Sequence, residues 1–248
     1  MVTKAFSEWA LGFSGCDGGN LAGEIWICGI EYSVGESEDS LERALSQDVR
    51  RPPPPRDNPE EFLNWRYNQN ILKMLCALSG TGEHYREFFR SASELGSESN
   101  YFKLNLYPIA FKNARLSPWQ EFHARLTGLC NRDEYAAWCR EHRFRWLREL
   151  VKAHEPKLIL CTGEGWREDF FAAFGEGECR GEDKRAERSI WHLATNSGKT
   201  LVVVTYFPMW RNGLNSNARL AEAGSTVATI LKEQGIMLGR APGKAVAK

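Results

Sequence analysis

EIWICGI, residues 24–30, runs straight into the turn-like Glu31, Tyr32 and Ser33. It is short, apolar and rich in β-branched and aromatic side chains, and it stops at a polar segment. That is the pattern of a strand buried on both faces. Three more runs share it: YFKLNL at 101–106, KLILCT at 157–162 and TLVVVTY at 200–206. Helical spacings lie between them. Apolar residues at 62, 65, 71, 72, 75 and 78 fall on one helix face, as do those at 135, 138, 139, 146, 147, 150 and 151. Trp166 to Phe174 and Asn217 to Gln234 read as two further helices. Residues 189–193, the NSGK turn and 200–206 read as a hairpin at the end of the sheet. Strands alternating with helices predict an α/β fold, a three-layer α/β/α sandwich around a mainly parallel four-stranded central sheet. In such sheets ligands bind beyond the carboxyl ends of the strands, so chemistry is sought just after each run.

Composition narrows the class. With 248 residues, 42% hydrophobic and 26% charged, the chain is neither a disordered segment, a collagen-like fibre nor a disulfide miniprotein. It reads as one domain over residues 1–237 followed by a flexible basic tail, LGRAPGKAVAK, at 238–248. No apolar run approaches the ~18 residues of a membrane span, and the start of the chain lacks the pattern of a secretory signal. Membrane association is therefore not expected. The 32 basic and 32 acidic side chains balance, which excludes a uniformly basic surface but not a local basic face. Seven cysteines, an odd number with no CxxC pair, argue against a zinc ribbon or an iron–sulfur cluster. No metal or cofactor is expected, and the thiols read as free, in a reducing, cytoplasmic compartment. RRPPPPRDNP at 50–59 reads as a stiff extended loop whose three arginines mark a basic spot. Arg140, Arg143 and Arg148 read as the solvated face of a helix.

The strand ends carry chemistry-bearing residues. Glu31 and Tyr32 follow the first strand. Asn105 lies in the second, which runs into Tyr107 and Pro108. TGEGW follows the third, and YFPMWRNG, residues 206–213, follows the fourth. A carboxylate, an amide, several aromatics and an arginine would thus meet at one edge, as a pocket for a flat polar ring requires. Each has a plainer reading as well. A glutamate after a strand is often a solvated turn or cap residue, an asparagine there often shapes a turn, and Trp210 can simply pack over the edge. TGEGW can seat a phosphate at a helix N-terminus, but it lacks the full glycine fingerprint and the P-loop lysine.

In order and placement, GIEYS, YFKLNLYP, PKLILCTGEGW and LVVVTYFPMWRNG resemble the motifs of the uracil-DNA glycosylase superfamily, over about Ile25 to Gly235. There are departures. Glu31 stands where many members have Asp or Asn, and Tyr32 replaces a proline. Phe207 takes the place of the usual histidine and Met209 that of a serine. The resemblance implies a DNA glycosylase that hydrolyses the N-glycosidic bond of a flipped-out damaged or modified base, leaving an abasic site. Glu31 and Tyr32 would be catalytic, with Glu31 orienting water or stabilising a cationic sugar. Asn105 would read the base edge, and Trp65, Tyr67, Tyr206 and Phe207 would line the base site. Arg50, Arg51, Arg56, Trp210, Arg211, Asn212 and Leu214 would contact DNA, with Trp210, Arg211 or Leu214 filling the gap in the duplex. Phenylalanine cannot donate a hydrogen bond to the departing base, so either the substrate is another base, or another group such as Tyr206 or Arg211 replaces the histidine, or the protein binds without cutting. The altered motifs favour a modified pyrimidine over plain uracil, as in defence against phage DNA. No lysine is among the strand-end residues singled out, so a Schiff-base lyase step is not implied. Two alternatives stand beside this reading. One is a non-catalytic reader of modified nucleic acid on the same fold. The other is a nucleotide-binding enzyme, for which only the TGEGW turn speaks.

Overall fold

Each of the four apolar runs forms a strand in the computed structural model, which describes residues 1–239 apart from 33–34, 55–58, 83, 92–95, 97–98, 114–115, 176–179 and 210–211. In chain order the elements begin α1 (Lys4–Ala10), β1 (Gly18–Gly19), β2 (Ile25–Gly29), α2 (Glu38–Leu45), α3 (Arg66–Ser79), α4 (Tyr85–Ser91) and β3 (Tyr101–Asn105). They continue with α5 (Glu121–Thr127), α6 (Arg132–Trp138), α7 (Phe144–His154), β4 (Leu158–Thr162) and α8 (Arg167–Phe174). Last come β5 (Arg180–Asp183), β6 (Ile190–Thr195), β7 (Thr200–Thr205) and α9 (Asn217–Glu233). The sheet has seven strands in the order β1-β3-β2-β4-β7-β6-β5. The expected four are its parallel centre, with β2 paired to both β3 and β4, and β4 to β7. The other three, β1, β5 and β6, add antiparallel edges. The expected hairpin is β6–β7, but β5 pairs beyond it and forms the end of the sheet.

The period of two decides the layers. Trp26, Cys28, Phe102, Leu104, Ile159, Cys161, Val202 and Val204 face Phe6 of α1, Tyr135 of α6, Phe144 and Leu147 of α7, and Phe170 of α8. The alternate residues Ile25, Ile27, Tyr101, Leu158, Leu160, Leu201 and Val203 face Ile71 and Leu75 of α3, Phe88 of α4, and Val227 and Ile230 of α9. Both sheet faces are covered, so the four central strands are mostly apolar, with Lys103 and Asn105 of β3 as buried polar exceptions. β2 lies between β3, which follows it, and β4, which comes after. The chain therefore reverses its direction across the sheet at β2, and a crevice opens beyond its carboxyl end.

The long helical pattern over 133–154 is interrupted by a π-helical turn at Cys139–Arg143. The wider turn rotates the following residues about the axis and carries Arg143 inward. Arg143 is thus not on a solvated face but fully buried. Its Nε donates to Leu106 O at 2.9 Å, Nη1 to Ala10 O and to Ser14 Oγ at 3.2 Å, and Nη2 to Ser14 O at 2.8 Å and Asn105 O at 3.3 Å. One side chain thereby fastens the segment after α1 to the end of β3. Arg140 ion pairs with Asp169 at 2.6 Å, and Arg148 donates to Ala172 O.

Cys16, Cys28, Cys76, Cys130, Cys139 and Cys161 are free thiols. Burial pushes Cys16 and Cys139 up to about 12, so both stay protonated. Among the described residues no helix is long and apolar enough to cross a membrane. The expected tail starts docked: Leu238 packs against the α3–α9 side of the core, and Gly239 N donates to Glu24 Oε2 at 2.6 Å. Residues 240–248 lie outside the described residues.

Candidate functional site

The register that pairs Gly29 with Asn105 sets the centre of the site. Asn105 is 5% exposed, and its Nδ2 donates to Gly15 O at 3.0 Å. Its Oδ1 lies over Gly29, where an added Cβ would collide with it. Tyr67, in the first turn of α3, shares a 2.8 Å hydrogen bond with Thr162 Oγ1 at the end of β4. The Tyr67 ring stacks on Phe207, just beyond β7, with centroids 5.4 Å apart. Asn105, Tyr67 and Phe207, predicted from separate motifs, are therefore brought together by β2, β3, β4, β7 and α3. Gly29→Ala is expected to force Asn105 aside and to destabilise the fold by about 1–3 kcal/mol. Urea unfolding of the single variants and the Gly29→Ala/Asn105→Ala pair checks this. If the clash is the cause, the pair costs clearly less than the sum of its parts.

Beside this group stands a residue that the strand-end reading passed over. Lys103 is buried on the same face of β3, two positions before Asn105. A cation there needs a partner, and it has two: Lys103 Nζ ion pairs with Asp17 and donates to Asn68 Oδ1 at 3.1 Å. The ammonium also lies 5.1 Å from the centre of the Phe62 ring and 5.4 Å from that of Tyr67. Asp17 further accepts from the Tyr32 hydroxyl at 3.2 Å. Tyr32, predicted as catalytic, thus reaches the Asn105 group through Asp17. The signal for Lys103 was in the sequence, a charge inside the otherwise apolar YFKLNL. The segment around Asp17 has no periodicity to read.

Glu31 lies two residues past Gly29, and its side chain turns toward α6. It is 4% exposed, with Oε2 3.5 Å from Arg132 Nη2. Arg132 is held in turn by Ser117 O at 2.9 Å and lies 3.9 Å over the Phe111 ring. Oε1 of Glu31 is buried and has no hydrogen-bond partner among the described residues. Burial raises the Glu31 carboxyl to about 8, against the opposing pull of Arg132, so it is mostly protonated at neutral pH. Among the described residues, Glu31 and Asn105 have no hydrogen-bond partner in common. Tyr32, the residue after Glu31, is the link between the two groups.

The other predicted residues divide. Trp65, 57% exposed, presents a free ring surface just before α3. Tyr206 packs toward β6, 5.7 Å from Trp191 and under the Arg188 guanidinium, rather than on Asn105. Arg50 and Arg51 are exposed, and Arg50 ion pairs with Asp48 at 2.6 Å. Asn212 is exposed. Leu214 corrects the reading of it as a DNA wedge. It is 2% exposed, packed in the α3–α9 core, and its amide donates to Phe207 O at 3.0 Å. Arg56, Trp210 and Arg211 lie outside the described residues. Among the described residues no three His, Cys, Asp or Glu side chains gather as a metal site. No protein-family model and no curated protein matches this chain. The resemblance to uracil-DNA glycosylases therefore rests on the motifs alone.

Proposed function

We propose that this chain is a monofunctional DNA glycosylase, acting in the cytoplasm, that releases a modified pyrimidine and leaves an abasic site. The observation that carries the reading is the group gathered beyond β2, β3 and β4: Asn105 over Gly29, the Tyr67–Phe207 stack and the Asp17–Lys103 ion pair. Asp17 is ion-paired with Lys103 beside the Asn105–Tyr67 group, while Glu31 is kept neutral by burial. Glycosidic cleavage uses a negative charge beside the developing sugar cation and a proton for the departing base, roles that this reading gives to Asp17 and Glu31. Tyr32, bonded to Asp17 and adjacent to Glu31, couples the two. In this reading Asn105 Oδ1 accepts from the base edge, and the Tyr67–Phe207 stack covers one face of the flipped base. Phe207 offers no donor to a carbonyl at that point, which favours a modified base over plain uracil.

Incubating the protein with genomic DNAs of different base-modification content and counting abasic sites tests this. The expected result is abasic sites in one class of DNA, with strand breaks only after alkali. Binding to the same DNA with no base released from any substrate would favour the non-catalytic reader, for which the apolar Phe207 is the supporting observation.

A further inference from the structure

Next to the Asn105 group, on the side of Gly15 and Tyr32, a cavity of about 550 Å³ opens between α1, the segment 13–16 and the prolines at 53–54. Small-molecule sites commonly span about 300–1,000 Å³. Trp9, Phe13, Tyr32, Pro53 and Pro108 give it flat apolar walls. Glu36 lines it too, and its carboxyl accepts from the Ala110 amide. Glu36 Oε2 is buried and has no hydrogen-bond partner among the described residues. A buried acceptor without a donor is costly, and a ligand that brings the donor explains why it is kept. Among the described residues, the remaining charged side chains on the lining are Asp48 and Arg51, and both are exposed.

We infer that this cavity binds a nucleobase carrying an exocyclic amino group, with the ring against the aromatic and proline walls, the amine donating to Glu36 Oε2 and the attached phosphate reaching Arg51. An acceptor-only edge would set oxygen against oxygen at Glu36, whereas an amine supplies the missing N–H. Flat rings suit aromatic and proline faces, and a guanidinium suits a phosphate. The base can belong to a free nucleotide or to a nucleic acid strand. The inference does not depend on base removal at the sheet edge.

Calorimetric titration at about pH 8 tests it, because burial raises Glu36 to about 7 and its carboxylate form prevails there. The probes are two pairs that differ at the exocyclic amine: cytidine and uridine monophosphates, and guanosine and inosine monophosphates. The amino-bearing member is expected to bind about tenfold or more tightly, as a hydrogen bond to a charged acceptor implies. Oligomers of deoxycytidine and of thymidine form a second arm. A preference seen only there assigns the site to a strand, and one seen with the monophosphates assigns it to free nucleotides. Glu36→Gln keeps an oxygen for Ala110 and turns a donor toward the ligand, so the advantage of the amine should vanish or reverse. Equal affinity within both pairs and both oligomers, or no saturable binding in either arm, would overturn the inference. If Glu36→Gln fails to fold, the comparisons on the unaltered chain decide alone. Amine-selective binding without abasic sites in any DNA would keep this inference and sink the glycosylase reading, and the converse result would do the opposite.

Discussion

Glu31→Gln is expected to stabilise the folded chain by about 3 kcal/mol more at pH 8 than at pH 5. In the folded state burial holds the Glu31 carboxyl neutral up to about 8, whereas its ordinary value is 4.5. The folded pKa is the higher one, so the contribution of this group is full below about 4.5. It is lost progressively as pH rises toward 8, because the unfolded chain gives up the proton first. Glutamine never ionises and escapes that loss. Glu36, raised to about 7, adds a loss of the same sign, and His123, pushed down to about 4 by burial, adds an opposite change below its ordinary 6.5. Both are present in the two proteins and cancel in the difference. Urea midpoints of both proteins at both pH values give the answer, and an equal difference at pH 5 and pH 8 would mean that Glu31 ionises normally. The same variant bears on chemistry. In the proposed reaction a proton donor to the departing base is worth about 10² to 10⁴ in rate, so on that reading the variant should bind DNA nearly as well and release base far more slowly. For the unaltered protein kcat should fall as pH passes about 8. A kcat that rises there would make Glu31 a base instead.

What could be read from the sequence follows from how each part is held. A strand covered on both faces is apolar except where a buried polar group finds a partner, which is why β2, β3, β4 and β7 are legible as runs and Lys103 stands out within one. β1 is two glycines and β5 is Arg-Gly-Glu-Asp, edges that join by backbone hydrogen bonds and leave no hydrophobic pattern. Asn105, Tyr67 and Phe207 are legible because their places follow from where strands end and a helix begins. Asp17 is not, because a buried arginine more than a hundred residues away brings its segment to the sheet edge. Leu214 reads as a surface loop residue, yet the turn that returns its amide to Phe207 O sinks the side chain into the core. Glu31 shows the limit from the other side. Its position is legible, but its charge state depends on burial by α6, which no local pattern specifies.

That distant arginine carries the other large effect. Arg143→Met is expected to destabilise the fold by about 3–5 kcal/mol. The guanidinium is fully buried, has no carboxylate partner among the described residues, and is satisfied by oxygens of Ala10, Ser14, Asn105 and Leu106. Methionine fills much of the volume but leaves those carbonyls without donors. Arg143→Lys should recover less than half of the loss. Three donors on one nitrogen cannot span the segment after α1 and the end of β3 together, as the planar fork does. The consequence reaches the site through two bonds. Gly15 O, one residue past Ser14, holds the Asn105 amide, and Asp17, two residues further on, holds Lys103. Under conditions where Arg143→Lys is still folded, amides of residues 12–17 should therefore exchange hydrogen faster, while those of β2 and β4 stay protected. If their exchange matches the unaltered protein, Trp9 and Phe13 hold the segment by packing alone, and Arg143 is not what positions Asp17 and Asn105.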